Sequence, residues 1–152
     1  MHTEIQTREL IVVGTPRSLQ AKSRQNLQEW KRYVSDTARR DLSEDEGAIQ
    51  WADVAVQILH FCPEWGDTEG DLDNIAKPIL DALCDSGRVI FNDNQVKEIL
   101  LRRVEWKRLE IVRIDGATQL LAEKLDRALQ GDGPAEFIYI GVTTRLLLES
   151  LP

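Results

Sequence analysis

The amino-acid sequence predicts a single α+β domain over residues 1–152, with a mixed β-sheet and flanking helices. Segments that alternate like β-strands and segments with helical spacing intermix along the chain, without a strict strand–helix–strand order. The 152 residues are enough for one domain with a substantial core and too few for two comfortable ones. Hydrophobic residues make up 42% and charged residues 30%, which is typical of globular proteins and excludes wholesale disorder.

The first part of the chain predicts a strand followed by a long helix. Residues 4–14 alternate loosely and end in an apolar run, and Gly14 and Pro16 then close the strand. Ser18 is the predicted N-cap of a helix over residues 19–41. The apolar stripe of this helix has helical spacing and consists of Leu27, Trp30, Val34 and Ala38.

The remaining elements follow from β-forming runs, a second apolar stripe and turn residues. Residues 51–62 are rich in β-forming side chains and predict a strand. A second helix is expected over 73–85, because apolar residues recur at helical spacing and Gly87 suits a left-handed C-terminal position. For residues 95–106 we expect a strand, with a helix as the alternative. The other expectations are strands over 88–91, 109–114 and 136–142, turns over 92–94 and 131–134, and a helix over 118–129.

Composition and the length of the apolar runs exclude several kinds of protein and site. The apolar runs are far shorter than a membrane span and residues 1–9 are polar, so we expect no membrane segment and no signal peptide. The two cysteines, Cys62 and Cys84, form no CxxC pair, which argues against a thiolate zinc site or a disulfide scaffold and favours a reducing cytoplasm. His2 and His60 are too few for a histidine zinc cluster. Metal or acid–base chemistry would therefore depend on carboxylates.

The charges are distributed in a basic–acidic–basic order, although the net charge is −7. Residues 17–40 carry seven basic and two acidic side chains, residues 41–73 carry ten acids without a Lys or Arg, and residues 97–113 carry six basic and three acidic side chains. Such a layout suits a site that holds both cations and a polyanion. Solvated faces of alternating sign explain the pattern equally well on composition alone.

Two aspartates lie at the predicted start of the second helix. Residues i and i+2 of an extended chain project from the same face, so Asp71 and Asp73 suit a divalent cation. Asp73, Lys77 and Asp81 recur every fourth residue on one helix face, which places an ammonium group one turn behind the carboxylates. Plainer roles stay open, namely an N-cap for either aspartate, a solvated ion pair for Asp73 and Lys77, and a turn residue for Asp93.

The same stretch resembles a known family. Residues 70–83 are GDLDNIAKPILDAL and residues 92–96 are NDNQV. This pair of segments is similar to the signature of the RusA family of Holliday junction resolvases, in which D-x-D-N-x-x-K-x-x-x-D-A-L is followed by D-D-x-Q-V. The specific motif covers about 25 residues by this comparison of patterns, and a looser likeness extends over most of the chain.

The resemblance implies a RusA-like fold and a homodimeric, Mg²⁺-dependent endonuclease that resolves four-way DNA junctions by symmetric cuts in recombination and repair, with Mn²⁺ as a substitute metal. The catalytic and metal-binding aspartates would be Asp71, Asp73 and Asp93, and the functional lysine would be Lys77. Lys77 could alternatively serve only to orient Asp73. One departure is Asn92, which stands where the family usually has the first of two aspartates. A second departure is the acidic segment over residues 64–69.

Basic side chains near both ends of the motif are the candidates for contacts with DNA phosphates, with solvated surface roles as the alternative; they are Lys22, Arg24, Arg32, Arg102 and Arg103. The four tryptophans are expected in the core or at an interface rather than as base-stacking platforms. Two other functions stay open. One is cleavage of other branched DNA, such as flaps or forks, and the other is a RusA-fold module that binds DNA or protein without cleavage.

Overall fold

The computed structural model describes residues 4–17, 23–63, 72–105, 118–133 and 136–145. These residues form four strands and three α-helices, with a single 3-10 turn, Asp93–Gln95, before the third strand. In chain order the elements are β1 (Thr7–Val13), α1 (Arg24–Asp41), β2 (Val54–Cys62), α2 (Leu72–Ser86), β3 (Val96–Glu105), α3 (Gln119–Leu129) and β4 (Phe137–Thr143).

The four strands form one mixed sheet in the order β1-β4-β2-β3, which confirms the predicted α+β class. β4 pairs antiparallel with both β1 and β2, whereas β2 and β3 are parallel. Because parallel neighbours need a crossover connection, α2 returns the chain from the end of β2 toward the start of β3. This crossover brings the helix that carries the aspartate–lysine motif close to the turn that carries Asp93.

The two faces of the sheet are covered by different helices. α1 and α2 pack on one face, where a large core includes Val34 and Ala38 of α1 and Ile75, Ile79 and Leu83 of α2. α3 covers part of the other face through Leu121 and Ala128, which pack with a smaller cluster of Leu59, Phe61, Val104, Phe137 and Tyr139. Alternate residues of each strand supply the two faces, as the pleat of a β-strand requires.

Most predicted elements are confirmed, including the strand rather than the helix over most of 95–106. Gly87 follows α2 with a φ of 69°, in the left-handed region expected there. The prediction of Ser18 as the cap of α1 was wrong. Ser23 is the N-cap, with extended backbone (φ −107°, ψ 114°) and a side chain that accepts a hydrogen bond from the Asn26 N–H. An extended residue at this position interrupts any helix that started earlier.

The prediction of a strand over residues 88–91 was also wrong, because only Ile90 pairs there, in a single parallel bridge to Ile49. The predicted strand over 109–114 lies outside the described residues. Trp30 is in the core at 7% exposure, whereas Trp51 is 91% exposed, so of the two expected positions, core or interface, only the core is excluded for Trp51. Within the described ranges no helix combines the length and the apolar character that a membrane crossing requires.

Candidate functional site

The turn before β3 is organised by one buried glutamine. Gln95 is only 9% exposed and uses both ends of its side-chain amide. Its Oε1 accepts hydrogen bonds from the backbone N–H groups of Phe91 (2.7 Å) and Asn92 (3.0 Å). Its Nε2 donates to the carbonyl oxygens of Ile49 (2.9 Å) and Ala52 (3.0 Å). Because buried backbone polar groups need partners, Gln95 fixes the turn against the segment that leads into β2.

Asn92 and Asp93 have separate roles in this turn. The Asn92 side-chain oxygen accepts a hydrogen bond from the Asn94 N–H at 2.8 Å and caps the 3-10 turn. Asn and Asp serve as caps about equally well, so an amide is sufficient at this position. The carboxylate that faces α2 belongs to Asp93, whose Oδ2 lies 2.9 Å from Lys77 Nζ. The departure from the family pattern at Asn92 therefore leaves the contact between the turn and α2 intact.

An unbroken series of ion pairs connects this turn to both helices on the same face of the sheet. Lys77 Nζ lies 2.9 Å from Asp93 Oδ2 and 2.9 Å from Asp81 Oδ1. The other oxygen of Asp81 lies 3.1 Å from Nζ of Lys31 on α1. We call these four residues the Lys77 cluster. Its centre is open to solvent, because the side chains of Lys77 and Asp93 are 47% and 44% exposed.

The charges of the Lys77 cluster support one another. Hydrogen bonds to Asp93 and Asp81 raise the pKa of Lys77 well above its ordinary value, so this side chain stays positive. Partial burial by itself would raise the pKa of Asp81, but hydrogen bonds from Lys77 and Lys31 lower it below its ordinary value. Burial, with Asp93 as the next contribution, raises the pKa of the neighbouring Cys84 thiol. At neutral pH Lys77 is therefore an ammonium group and Asp81 is a carboxylate.

Asp73 lies in the first turn of α2, one helical turn before Lys77, and is exposed. A carboxylate is stabilised there by the partial positive charge of the helix N-terminus. No ion pair joins Asp73 to Lys77 within the described ranges, where Lys77 binds Asp93 and Asp81 instead. Asp71 lies outside the described residues.

The donor set of Asp73 and Asp93 suits a hard divalent cation, because Mg²⁺ prefers carboxylate oxygens and binds through only one or two of them. Lys77 occupies Oδ2 of Asp93, and its hydrogen bond leaves Oδ1 for another ligand. Among the described side chains no group of three His, Cys, Asp or Glu residues could hold a metal ion. A site with three aspartates therefore depends on Asp71.

The predicted DNA contacts fall in different places. Arg24 and Arg32 are exposed on α1, and Lys22 lies outside the described residues. Arg102 and Arg103 are consecutive in β3, so their side chains point to opposite faces of the sheet. Arg102 is exposed, whereas Arg103 is partly buried and donates from Nε to His60 Nδ1 at 3.2 Å. The two side chains therefore lie on different faces of the sheet, and only Arg102 is exposed.

A second polar cluster, the His60 cluster, consists of His60, Arg103 and Glu136. His60 is fully buried, and its Nε2 lies 3.5 Å from Glu136 Oε1. Neither of these two atoms has a hydrogen-bond partner in the described part of the chain. Burial lowers the pKa of His60, the negative charge of Glu136 opposes this shift, and Arg103 adds to it. His60 is therefore neutral at pH 7.

Sequence reasoning missed several parts of the site. Lys31 reaches Asp81 from another helix, and nothing local to the motif indicates that contact. The role of Gln95 was not inferred, although the Q of the D-D-x-Q-V pattern marks its position. The exposed Trp51 ring stacks against Phe91, with ring centroids 6.4 Å apart. Local sequence does not predict the unusual backbone of Trp51, which has a φ of 61°.

Comparison with known proteins identifies the family of this chain. The sequence model of one family, described as Endodeoxyribonuclease RusA, matches residues 8–114, which is well over half of the chain. No curated protein matches the sequence. The matched range contains Lys31, Lys77, Asp81 and Asp93, so the whole Lys77 cluster lies inside it. Members of this family are nucleases that act on branched DNA. The chain belongs to the RusA family of endodeoxyribonucleases, and this membership implies Holliday junction endonuclease activity.

Proposed function

We propose that the protein is an Mg²⁺-dependent, structure-specific endonuclease that resolves Holliday junctions by symmetric phosphodiester hydrolysis in DNA recombination and repair. The observation that carries this proposal is the contact of Lys77 with Asp93 at 2.9 Å, which joins the two halves of the family motif. Asp73 lies one turn before Lys77 on the same helix. Lys77 and Asp93 are about half exposed and Asp73 is exposed, which supports access of a phosphodiester to these three side chains.

Asp73 and Asp93, together with Asp71, are the proposed ligands of the metal. When bound there, Mg²⁺ supplies positive charge for the scissile phosphate and lowers the pKa of an attacking water. The carboxylates hold and orient the cation through oxygen atoms, the ligands that Mg²⁺ prefers, and Mn²⁺ is expected to substitute. Asp73 is exposed in the first turn of α2, where the partial positive charge of the helix N-terminus stabilises a carboxylate.

Lys77 is proposed to stabilise the negative charge that develops on the phosphate in the transition state. Its raised pKa excludes a role as a general base near neutral pH, because an ammonium group has no lone pair to accept a proton. Asp81 and Lys31 are positioning residues in this account. Asp81 binds Lys77 and Lys31 through different oxygens and holds the ammonium group toward Asp93.

A homodimer accounts for symmetric cuts, because a four-way junction has approximate two-fold symmetry and a C2 dimer presents two identical sites. The proposed contacts with the DNA backbone come from Arg24 and Arg32, which are exposed on α1. α1 also supplies Lys31 to the Lys77 cluster, so the helix that would contact phosphates is tied directly to the proposed reaction centre.

The test is cleavage of a labelled four-way junction in Mg²⁺ and in EDTA, with linear duplex and flap substrates in parallel. Wild type should make paired nicks in Mg²⁺ and none in EDTA. Asp73→Asn should bind the junction and leave it uncut, because the amide keeps the shape and removes the charge that holds the metal. Asp85→Asn is the matched control, since Asp85 is an exposed carboxylate at the other end of α2 and should tolerate the change.

The substrate series separates the alternatives. If the protein cuts flaps at least as fast as four-way junctions, its substrate is another branched DNA and not the Holliday junction. Junction binding by wild type without metal-dependent cleavage would contradict the proposed nuclease mechanism. Loss of cleavage in both Asp73→Asn and Asp85→Asn would contradict the specific role of Asp73.

A further inference from the structure

Two large aromatic side chains are exposed beside the turn that carries Asp93. Trp51 is 91% exposed and Phe91 is 61% exposed. Their rings are stacked, with centroids 6.4 Å apart and an interplanar angle of 23°. The flanking residues Gln50 and Asn92 are also exposed, and both are polar. We call Trp51 and Phe91 the aromatic pair; it is a small apolar surface with a polar surround.

The backbone of Trp51 is held in an unfavourable conformation. Its φ of 61° lies in the left-handed region, which costs a residue with a large side chain free energy relative to ordinary conformations. The neighbouring segment keeps this geometry, because Gln95 binds the carbonyl oxygens of Ile49 and Ala52 on either side of Trp51. The fold therefore maintains an exposed indole at a position where glycine would be less strained. Such outliers often serve a binding function.

The aromatic pair and Asp93 belong to one rigid unit. The Phe91 and Asn92 N–H groups both donate to Oε1 of Gln95, the residue whose Nε2 holds the Trp51 segment. Phe91 is two residues before Asp93, so their Cα atoms are at most about 7 Å apart. A nucleotide whose phosphate lies at Lys77, which contacts Asp93, could therefore place a neighbouring base on the aromatic pair.

We propose that Trp51 and Phe91 form a stacking platform for an unpaired or unstacked nucleobase at the branch point of the DNA substrate. This inference rests on the proposed function, because it requires branched DNA at the Lys77 cluster. Every base has a π-face, so an aromatic platform recognises an open base with little dependence on sequence. Bases inside a continuous duplex are already stacked, so the platform discriminates branched from linear DNA.

The size of the pair favours a base over a second copy of the chain. A Trp and a Phe together offer roughly 300–500 Å² of surface at most. A stable protein interface needs about 800 Å² from each partner. A single base covers only the rings and leaves the surrounding polar groups hydrated. The aromatic pair is therefore sufficient for a nucleobase and too small for a dimer interface by itself.

The test measures binding of a four-way junction and of a linear duplex of equal length by wild type, Trp51→Ala and Phe91→Ala, in EDTA so that cleavage does not interfere. Trp51→Ala should weaken junction binding about 10-fold, as loss of one stacked base does, and leave duplex binding unchanged. Trp51→Phe should retain most of the affinity because it keeps a ring. The slope of affinity against salt should not change, because phosphate contacts are untouched.

Two control variants keep the result interpretable. Leu129→Ala removes another exposed apolar side chain, on α3, and should bind the junction like wild type. Trp51→Gly should unfold at a temperature no lower than Trp51→Ala, since both lose the ring and glycine relieves the left-handed backbone, and it should bind the junction as weakly as Trp51→Ala. A lower unfolding temperature for Trp51→Gly than for Trp51→Ala would contradict the strain on which the inference depends.

Equal losses on junction and duplex would overturn the proposal, and so would unchanged junction binding in Trp51→Ala. A weaker homodimer for Trp51→Ala in sedimentation would also overturn it and assign the pair to contact between copies. Failure of the proposed function gives a different pattern. In that case wild type binds the junction in EDTA and does not cut it in Mg²⁺. The junction and duplex affinities of wild type and Trp51→Ala still decide the role of the aromatic pair.

Discussion

The Lys77 cluster and the His60 cluster use similar residue types in opposite environments. Lys77 and Asp93 are 47% and 44% exposed, and each charge has an opposite charge at 2.9 Å. His60 is fully buried, and its Nε2 and Glu136 Oε1 face one another at 3.5 Å without a hydrogen bond. The pKa of Lys77 is raised by its hydrogen-bond partners, whereas burial lowers the pKa of His60.

This difference indicates which cluster can do chemistry on DNA. A phosphodiester is a large anion and needs a reachable cation whose charge is permanent at working pH, and Lys77 meets both conditions. His60 is neutral and closed to solvent, so it can contribute to stability and not to phosphate binding. Substitutions in each cluster should separate a catalytic role, seen as a change in the cleavage rate, from a structural role, seen as a change in the free energy of unfolding. The largest effect is expected at Lys77.

Lys77→Met should lower the single-turnover cleavage rate by about 10²–10³-fold, because it removes a charge that stabilises the transition state. The free energy of unfolding should change by less than about 1 kcal/mol, since the ion pairs that are lost are open to solvent on one side, with Lys77 and Asp93 about half exposed. Quench-flow cleavage and urea unfolding measure the two effects. Lys77→Arg should retain part of the rate, and a rate equal to wild type in Lys77→Met would refute the role.

Gln95→Ala should destabilise the protein by about 2–3 kcal/mol, because buried backbone groups that Gln95 satisfies would lose their partners. Cleavage should also slow, because the turn that presents Asp93 loses its support. Urea unfolding and the cleavage rate are the measurements. Gln95→Glu is the matched variant, since it keeps the acceptor and removes the two donors. Unchanged stability in both variants would contradict the role of Gln95.

His60→Leu should reduce the free energy of unfolding by about 1–3 kcal/mol, because the buried Arg103 Nε loses its acceptor. The cleavage rate of the folded variant should equal that of wild type. Chemical unfolding together with single-turnover cleavage checks both statements. If His60→Leu keeps native stability but cleaves DNA much more slowly than wild type, His60 takes part in the reaction. The His60 cluster would then not be purely structural.

The same cluster predicts a pH dependence of stability. The pKa of His60 is lowered in the folded protein, so the unfolded chain takes up this proton more readily. The stabilisation from neutral His60 is therefore fully present above its unfolded pKa of about 6.5 and is lost as pH falls through the lower, folded value. Between pH 7.5 and 5 wild type should lose more of its free energy of unfolding than His60→Leu, as measured by chemical unfolding at each pH. Equal losses of stability in wild type and His60→Leu over this pH range would contradict the role of His60 in the pH dependence.

Lys31→Met should have the smallest effect. Asp81 keeps its hydrogen bond to Lys77, so the ammonium group loses only indirect support. We expect a fall in the cleavage rate of about 3-fold, with the free energy of unfolding changed by less than about 1 kcal/mol. Arg39→Met is the control, because Arg39 lies on the same helix and pairs with Asp36 instead. A loss as large as that of Lys77→Met would make Lys31 part of the reaction centre.

Local patterns predicted much of the fold and part of the site. Helical spacing was sufficient for the face shared by Lys77 and Asp81, and the family likeness indicated Asp93. The N-cap of α1 was misplaced because every residue of its apolar stripe follows both Ser18 and Ser23, so the stripe does not choose between them. Contacts across the chain could not be predicted. Gln95 binds carbonyls 43 and 46 residues away, and those contacts depend on how the elements pack.

The exposed position of Trp51 also had no local signal. Tryptophan is usually buried or at an interface, and the three residues on each side of Trp51 include no glycine or proline that would indicate a turn. Its left-handed backbone follows from the bonds of Gln95 and the bridge between Ile49 and Ile90. A residue that the fold holds in an unfavourable backbone conformation can therefore be recognised only once the tertiary contacts are known.

The most direct test of the account makes the same chemical change in both clusters. Asp93→Asn and Glu136→Gln each replace a carboxylate by an amide of nearly equal shape, and single-turnover cleavage of a four-way junction in Mg²⁺ compares them. The account predicts that Asp93→Asn cuts at least about 100-fold more slowly than wild type. It predicts that Glu136→Gln cuts within about 2-fold of wild type, because the His60 cluster only supports the fold. Full activity in Asp93→Asn, or an equal loss in Glu136→Gln with native stability, would contradict the account.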